Sequence, residues 1–238
     1  MMTKNLISIA NIQVTSFSSM NEAVGHIIAE GKVKSGFGVA INAEKVVSAI
    51  NNLHVMDTLQ SATLRFADGI LVVWAMAKKG GEGIRIPGCD LWQNLMEEST
   101  KYQTPVYIVG ASPEVNGLVS DKLKNIGVNL VGAQDGYFVD EELVISNIVK
   151  ARPQLVSVAM GSPAQEVFIN NCRKVWPNAF YLGVGGTYDV YVEKVKRAPT
   201  WMQKIHLEWS YRLLKEPSRV FRQANLFKFV WLLFRRKI

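Results

Sequence analysis

At 238 residues, 48% hydrophobic and 20% charged, the chain has the composition of a globular protein with room for a sizeable core. Two cysteines without a Cys-x-x-Cys pair and three scattered histidines argue against a disulfide scaffold and a zinc site, so neither a metal nor another cofactor is expected. The net charge of +7 is a C-terminal property: residues 194–238 hold 12 Lys/Arg against Glu208 and Glu216, and the rest of the chain is slightly acidic.

The first residues lack the long apolar core and cleavage site of a secretion signal, and no stretch reaches the roughly 20 apolar residues of a spanning helix. A chain that stays on the cytosolic side is the expectation. Ser19 and Glu22 form a capping box that opens an amphipathic helix ending near Gly31. Gly36 to Asn42 reads as a strand and Ala43 to Ile50 as the start of a helix, which leaves Asn42 at the strand's carboxyl end, where it caps the helix or meets a ligand.

Leu64 to Trp74 is an apolar run with Asp68 and Gly69 at a turn inside it. Asp-Gly is a common turn pair, yet an acid between Phe66, Ala67, Ile70 and Leu71 is partly desolvated, which raises a carboxyl toward the strength of a useful base. Asp68 is therefore a candidate base. A glycine-rich surface loop follows at Lys78 to Gly83, and Asp90 is read as the N-cap of a helix through Leu91, Trp92, Leu95 and Met96, a face that packs internally or across subunits of a homo-oligomer.

Two strand–Ser-Pro–helix units come next. Val106 to Gly110 runs into Ser112-Pro113, and Leu155 to Met160 runs through Gly161 into Ser162-Pro163, with Ser162 as N-cap and Gln165 at the capping-box position. Between them, Val128 to Phe138 reads as a short strand and a glycine-rich loop, and Glu141 to Ala151 as a helix. Repeated βα units predict an α/β fold with Rossmann-like, doubly wound layers, whose strand ends bind phosphorylated ligands at helix N-termini. No dinucleotide fingerprint and no P-loop are present. Phe180 to Val190 is another strand entering a glycine-rich turn. There Gly183, Gly185 and Gly186 allow backbone N–H groups to approach a phosphate or ribose, and Thr187 and Asp189 add a hydroxyl and a carboxylate.

From Lys194 the chain changes character. Pro199 starts a helix with Trp201, Ile205, Trp209 and Leu213 at four-residue spacing, and Pro217 starts a second through Phe221, Leu226, Phe229 and Leu233. With Arg212, Arg219, Arg222, Trp231, Arg235 and Arg236 these form basic, aromatic-rich helices suited to an anionic leaflet. A core-packed helix pair with a solvated basic face is the alternative; no nucleic-acid-binding motif is present and no nucleic-acid partner is expected. The organisation expected is an α/β catalytic domain over 1–193 and a membrane-docking helical appendage over 194–238.

Ala40-Ile-Asn-Ala-Glu-Lys45, Ala67-Asp-Gly69, Gly88-Cys-Asp-Leu-Trp92, Gln134-Asp-Gly-Tyr-Phe138, Val158-Ala-Met-Gly-Ser-Pro-Ala-Gln-Glu166, Gly183-Val-Gly-Gly-Thr-Tyr-Asp189, Lys196-Arg-Ala-Pro199 and Glu208-Trp-Ser-Tyr-Arg-Leu-Leu-Lys-Glu-Pro217 together resemble the WecG/TagA/CpsF family of bacterial glycosyltransferases. The resemblance implies an inverting, metal-independent transfer of a mannosamine-type sugar from a UDP-sugar donor to N-acetylglucosamine on undecaprenyl pyrophosphate, by a peripheral protein at the cytoplasmic face of the inner membrane. It implies N-acetylmannosaminuronic acid as the sugar, with N-acetylmannosamine as the alternative. It further implies Asp68 as general base, Asn42, Arg85 and Gln165 around the donor and its pyrophosphate, and Asp189 near the nucleoside. Where many relatives carry threonine two residues before the asparagine, this chain has Ala40. Lys45, Arg85 and Lys194 are all possible partners for a donor carboxylate.

Overall fold

The continuous apolar runs become the buried centre of a sheet. In the computed structural model, which describes residues 6–204, 208, 210, 211 and 220–235, strands β5 (Gly36–Ile41), β7 (Val106–Gly110), β9 (Leu155–Ala159) and β10 (Phe180–Gly183) are almost wholly buried. Such strands need cover on both faces, and helices supply it. The hairpin β1 (Leu6–Ile9) and β2 (Ile12–Thr15) forms one edge of the sheet, followed by β6 (Leu64–Ala67), and β8 (Leu130–Gln134) closes the other, in the order β1-β2-β6-β5-β10-β9-β7-β8. Only the β1–β2 pair is antiparallel within this sheet. β3 (Ile28–Ala29) and β4 (Lys32–Val33) make a separate short hairpin.

Two hydrophobic clusters fill the two faces. One joins the sheet to α2 (Ala43–Asn51), α3 (Leu53–Gln60), α4 (Ile70–Lys78), α7 (Glu141–Ala151), α8 (Ala164–Val175) and the last described helix, α11 (Val220–Phe234). The other joins it to α1 (Met20–Ile27), α5 (Gly88–Lys101), α6 (Pro113–Asn125) and α9 (Thr187–Tyr191). This is the doubly wound α/β architecture expected from the repeated βα units. Leu91, Trp92, Leu95 and Met96 are buried within this second cluster.

Several expected boundaries are corrected. α1 stops at Ile27, short of Gly31, because Ile28 turns extended and pairs with Val33. Glu22 accepts from Ser18 N–H at 2.7 Å, one residue before the Ser19 cap. Ser162 is not an N-cap: Pro163 takes that position after a cis Ser162–Pro163 peptide, and α8 begins at Ala164. Asp90 is not a cap either, since α5 already starts at Gly88 behind Pro87 and Asp90 falls in its first turn. Ser112, by contrast, caps α6 by accepting from Val115 N–H at 3.3 Å. The apolar run around Asp68 divides into β6 and α4, with Asp68 and Gly69 as the joint.

The C-terminal segment packs on the α/β body. Ala198, Glu208, Phe229, Leu232 and Leu233 are buried, and Lys228 Nζ donates to Asn51 Oδ1 of α2 at 2.9 Å. Of its first expected helix, α10 (Thr200–Lys204) is described.

Candidate functional site

All parallel strands deliver their carboxyl ends to one edge of the sheet, and the residues singled out above collect there. Asn42 follows β5 directly and caps α2, its Oδ1 accepting from Lys45 N–H at 2.9 Å. Asp68 follows the adjacent β6, and its N–H donates to the carbonyl of Ile41 at 2.9 Å, which sets the two turns side by side. A Cβ on Gly69 would lie 3.4 Å from Asn42 Cα and Cβ, ordinary van der Waals contact, so the two turns pack directly against each other.

The segment before α5 then folds over Asp68. Ile86 N–H donates to the Ala67 carbonyl at 2.8 Å, and this places Arg85 alongside. Arg85 Nε donates to the Asp68 backbone carbonyl, and its Nη2 lies 3.6 Å from Asp68 Oδ1. Gly88 N–H, in the first turn of α5, donates to the same Oδ1 at 3.3 Å. The Asp68 carboxylate is thus half-exposed, held from one side by a cation and a helix N-terminus.

On the β9–β10 side, the first turn of α8 takes over. Gln165 Oε1 accepts from Gly185 N–H at 2.9 Å, and its Nε2 donates to Glu166 Oε1 at 3.1 Å. The Gln165 side chain passes close to Gly183, where any Cβ would approach Nε2 to 2.6 Å. Gly185 has φ +54°, the left-handed region. Gly186 precedes α9, and the Thr187 hydroxyl both donates to the Val184 carbonyl at 2.6 Å and lies 3.2 Å from Cys89 Sγ of α5. Tyr188 locks α9 onto the sheet: its hydroxyl lies 2.6 Å from Ser157 Oγ inside β9. Asp189 sits in the first turn of α9, where its charge helps raise the Lys194 ammonium, chiefly held protonated by a hydrogen bond to Glu114.

Two buried acids stand out that the residue-by-residue reading missed. Glu166, 1% exposed, receives Lys45 Nζ at 2.8 Å. Burial alone would raise its carboxyl, but the Lys45 charge and hydrogen bonds from Lys45, Gln165 and Ser162 win, and the group lies below the ordinary range. Glu208, 5% exposed, meets Arg85 and Arg197. Here too burial is outweighed, by the hydrogen bond from Arg197 and the charges of Arg85 and Arg197, and the carboxyl is lowered. Arg197 in turn reaches both oxygens of Asp90. A signal for Glu208 existed: it is one of two acids among 12 basic residues in its stretch.

The three cations considered for a donor carboxylate all carry acidic partners: Lys45 with Glu166, Arg85 with Glu208, and Lys194 with Glu114 at 2.7 Å. The residues expected at a membrane fall into three groups. Trp201 and Trp231 are exposed, 61% and 47%, and Arg235 stacks over Trp231 with 4.4 Å to the ring centroid. Phe229 is instead buried in the first core cluster, so its ring is taken by packing and is withheld from any lipid. Trp209, Arg212, Arg219 and Arg236, and the Arg222 side chain, lie outside the described residues. Apart from this edge, an apolar cavity of about 490 Å³ runs between α4 and α11, lined by Leu71, Trp74, Val230, Leu233 and Phe234. No helix among the described residues is long and apolar enough to cross a membrane, and among them no three His, Cys, Asp or Glu side chains converge on a metal position.

A carboxylate beside a guanidinium, a glycine loop fixed by an amide, and the N-termini of α2, α5 and α8 lie at one edge, an arrangement with the chemistry to take a proton and to stabilise negative charge. Over residues 7–238 the chain matches the family described as Glycosyl transferase WecG/TagA/CpsF family.

Proposed function

The chain belongs to the WecG/TagA/CpsF family of glycosyltransferases, and on that premise we propose that it transfers N-acetylmannosaminuronic acid from UDP to N-acetylglucosamine carried on undecaprenyl pyrophosphate, with inversion, as in enterobacterial common antigen synthesis. The observation that carries this reading is the pairing of Asp68 with Arg85 across from the Gln165–Gly185 contact. Asp68 takes the proton of the acceptor hydroxyl as its oxygen attacks the anomeric carbon. The bond from that carbon to the diphosphate breaks, and UDP leaves with the electron pair. Arg85, Asn42 at the N-terminus of α2, and the Gly186 N–H in the turn that Gln165 holds through Gly185 stabilise the charge arriving on the diphosphate, and Asp189 lies toward the nucleoside. The protein supplies these donors itself, in keeping with a metal-independent transfer.

A lipid-linked acceptor accounts for the outer surface of the C-terminal segment. Trp201, Trp231 and Phe234 are exposed together with Arg235 in a stretch of high positive charge, the composition of a segment resting on an anionic leaflet at the cytoplasmic face. The segment beyond residue 193 then carries the docking, while its Arg197 and Glu208 also reach the site on the α/β body.

The test is UDP release by the purified full chain with a polyprenyl-pyrophosphate-linked N-acetylglucosamine acceptor, comparing UDP-N-acetylmannosaminuronic acid with UDP-N-acetylmannosamine. Acceptor-dependent release with the uronic acid supports the proposal. Preference for the neutral sugar moves the chain to a teichoic-acid or capsular type of substrate, and silence with both, alongside measurable nucleotide-sugar binding, would leave a membrane-associated binding scaffold.

A further inference from the structure

The buried carboxylate of Glu208 lies between two cations. The two oxygens of Glu208 face two different arginines: Arg197 Nε donates to Oε1 at 2.8 Å, and Arg85 Nη2 lies 2.8 Å from Oε2. Arg85 also donates through Nε to the Asp68 carbonyl, and Arg197 spans both oxygens of Asp90. The outcome is an alternating series, Asp68, Arg85, Glu208, Arg197, Asp90, which ties the turn after β6 and the first turn of α5 to a residue more than a hundred positions later in the chain.

A guanidinium is planar, and its direction is set only when contacts fix more than one of its edges. The Asp68 carbonyl fixes the Nε edge of Arg85, and the buried charge of Glu208 draws Nη2 into an ion pair, Oε2 having no hydrogen bond of its own. Asp68 is the other carboxylate paired with Arg85, at the longer distance of 3.6 Å. With Glu208 neutral, Asp68 is the carboxylate still in reach of Arg85, since Asp90 is held by Arg197, and the guanidinium turns toward it, so that the proton acceptor becomes engaged in a close ion pair.

We infer that Glu208 is a positioning residue: it holds the Arg85 guanidinium off the Asp68 carboxylate, leaving Asp68 to accept a proton and Arg85 to face the departing diphosphate. The inference rests on the transferase reading above. It also makes the C-terminal segment a part of the site, whatever it does at a membrane.

The experiment is a double-mutant cycle on the full chain, read by UDP release. Glu208→Gln is expected to lower kcat roughly 100-fold, the scale of a misplaced catalytic contact, while donor KM changes by less than about threefold, because the contact acts in the transition state. On an Arg85→Ala background the same substitution should cost nothing further, since Glu208 acts through Arg85. Glu208→Asp, which keeps the charge, should restore part of the rate and serves in the same cycle if the glutamine variant fails to fold. Losses that multiply across the cycle, or a wild-type kcat in either single variant, would overturn the inference while leaving the transferase reading intact. A wild-type chain that releases no UDP with either donor would overturn both.

Discussion

Gln165 and Gly185 are joined by a 2.9 Å hydrogen bond in which the side-chain carbonyl of the first turn of α8 accepts from the N–H of the loop after β10. The loop is thereby held by a neighbouring helix rather than by its own turn, and Gly183 leaves the space through which the amide passes. Gln165→Ala releases the loop. UDP affinity measured by calorimetry is expected to fall about tenfold, the worth of one hydrogen bond plus some loop ordering, and stability to fall by about 1–3 kcal/mol, because the buried amide's bonds to Gly185 and Glu166 are both lost.

Asp68 lies at a joint between strand and helix, half-exposed, with Gly88 N–H and Arg85 on one side. Removing its basicity without its shape isolates the proton transfer. Asp68→Asn should reduce kcat by roughly 10²- to 10⁴-fold and leave UDP binding within about threefold of the parent. Near-normal turnover in this variant would remove Asp68 from the role of base.

The buried pair of Lys45 and Glu166 links α2 to α8 at the same edge. Lys45→Met leaves a carboxylate buried without its cation, and chemical denaturation at pH 7 should register a loss of about 3–5 kcal/mol. The folded-state carboxyl of Glu166 lies below its ordinary value of 4.5, so its contribution to stability is complete above that value and is lost as pH falls from 4.5 through the lower folded-state value. In Glu166→Gln the fall of stability below pH 4.5 should be shallower by up to about 1.4 kcal/mol per pH unit. An unchanged slope would mean that the group titrates alike folded and unfolded.

Gly110 ends β7 with φ +112°, and a Cβ there would meet the Ala159 carbonyl oxygen of β9 at 2.3 Å. Both the dihedral and the contact with backbone oppose any side chain. Gly110→Ala is expected to destabilise the fold by at least about 2 kcal/mol in urea unfolding.

Two aromatic residues of α11 separate packing from docking. Phe229 is fully buried, and its replacement by alanine should cost about 3–5 kcal/mol of stability. Phe234 is 76% exposed; Phe234→Ala combined with Trp231→Ala should stay within about 1 kcal/mol of the parent yet lower the fraction that sediments with anionic liposomes. Equal sedimentation of parent and variant would remove these rings from any membrane contact.

The sequence by itself determined the layer architecture, because that depends on local pattern: continuous apolar runs such as Leu155–Ala159 suit only strands covered on both faces, and Ser112-Pro113 and Asn42 start helices by hydrogen bonds within four residues. It also placed Asp68, Asn42 and Gly185 just past strand ends and Gln165 at the start of the helix after β9, where their motifs carry the family resemblance. What it did not decide was direction and partnership. Gln165 sits at a capping-box spacing, but its side chain turns to Gly185, 20 residues on; Asp90 has the composition of a cap, but α5 starts before it and Arg197 claims its carboxylate. Phe229 belongs to an amphipathic basic helix by pattern, and only docking against α2 and the sheet settles which of its faces is core. Glu208 is the clearest case. Its neighbours in sequence are a basic tail, its neighbours in space are Arg85 and Arg197, and a contact across so many residues is set by chain closure in the folded state, which no local pattern encodes.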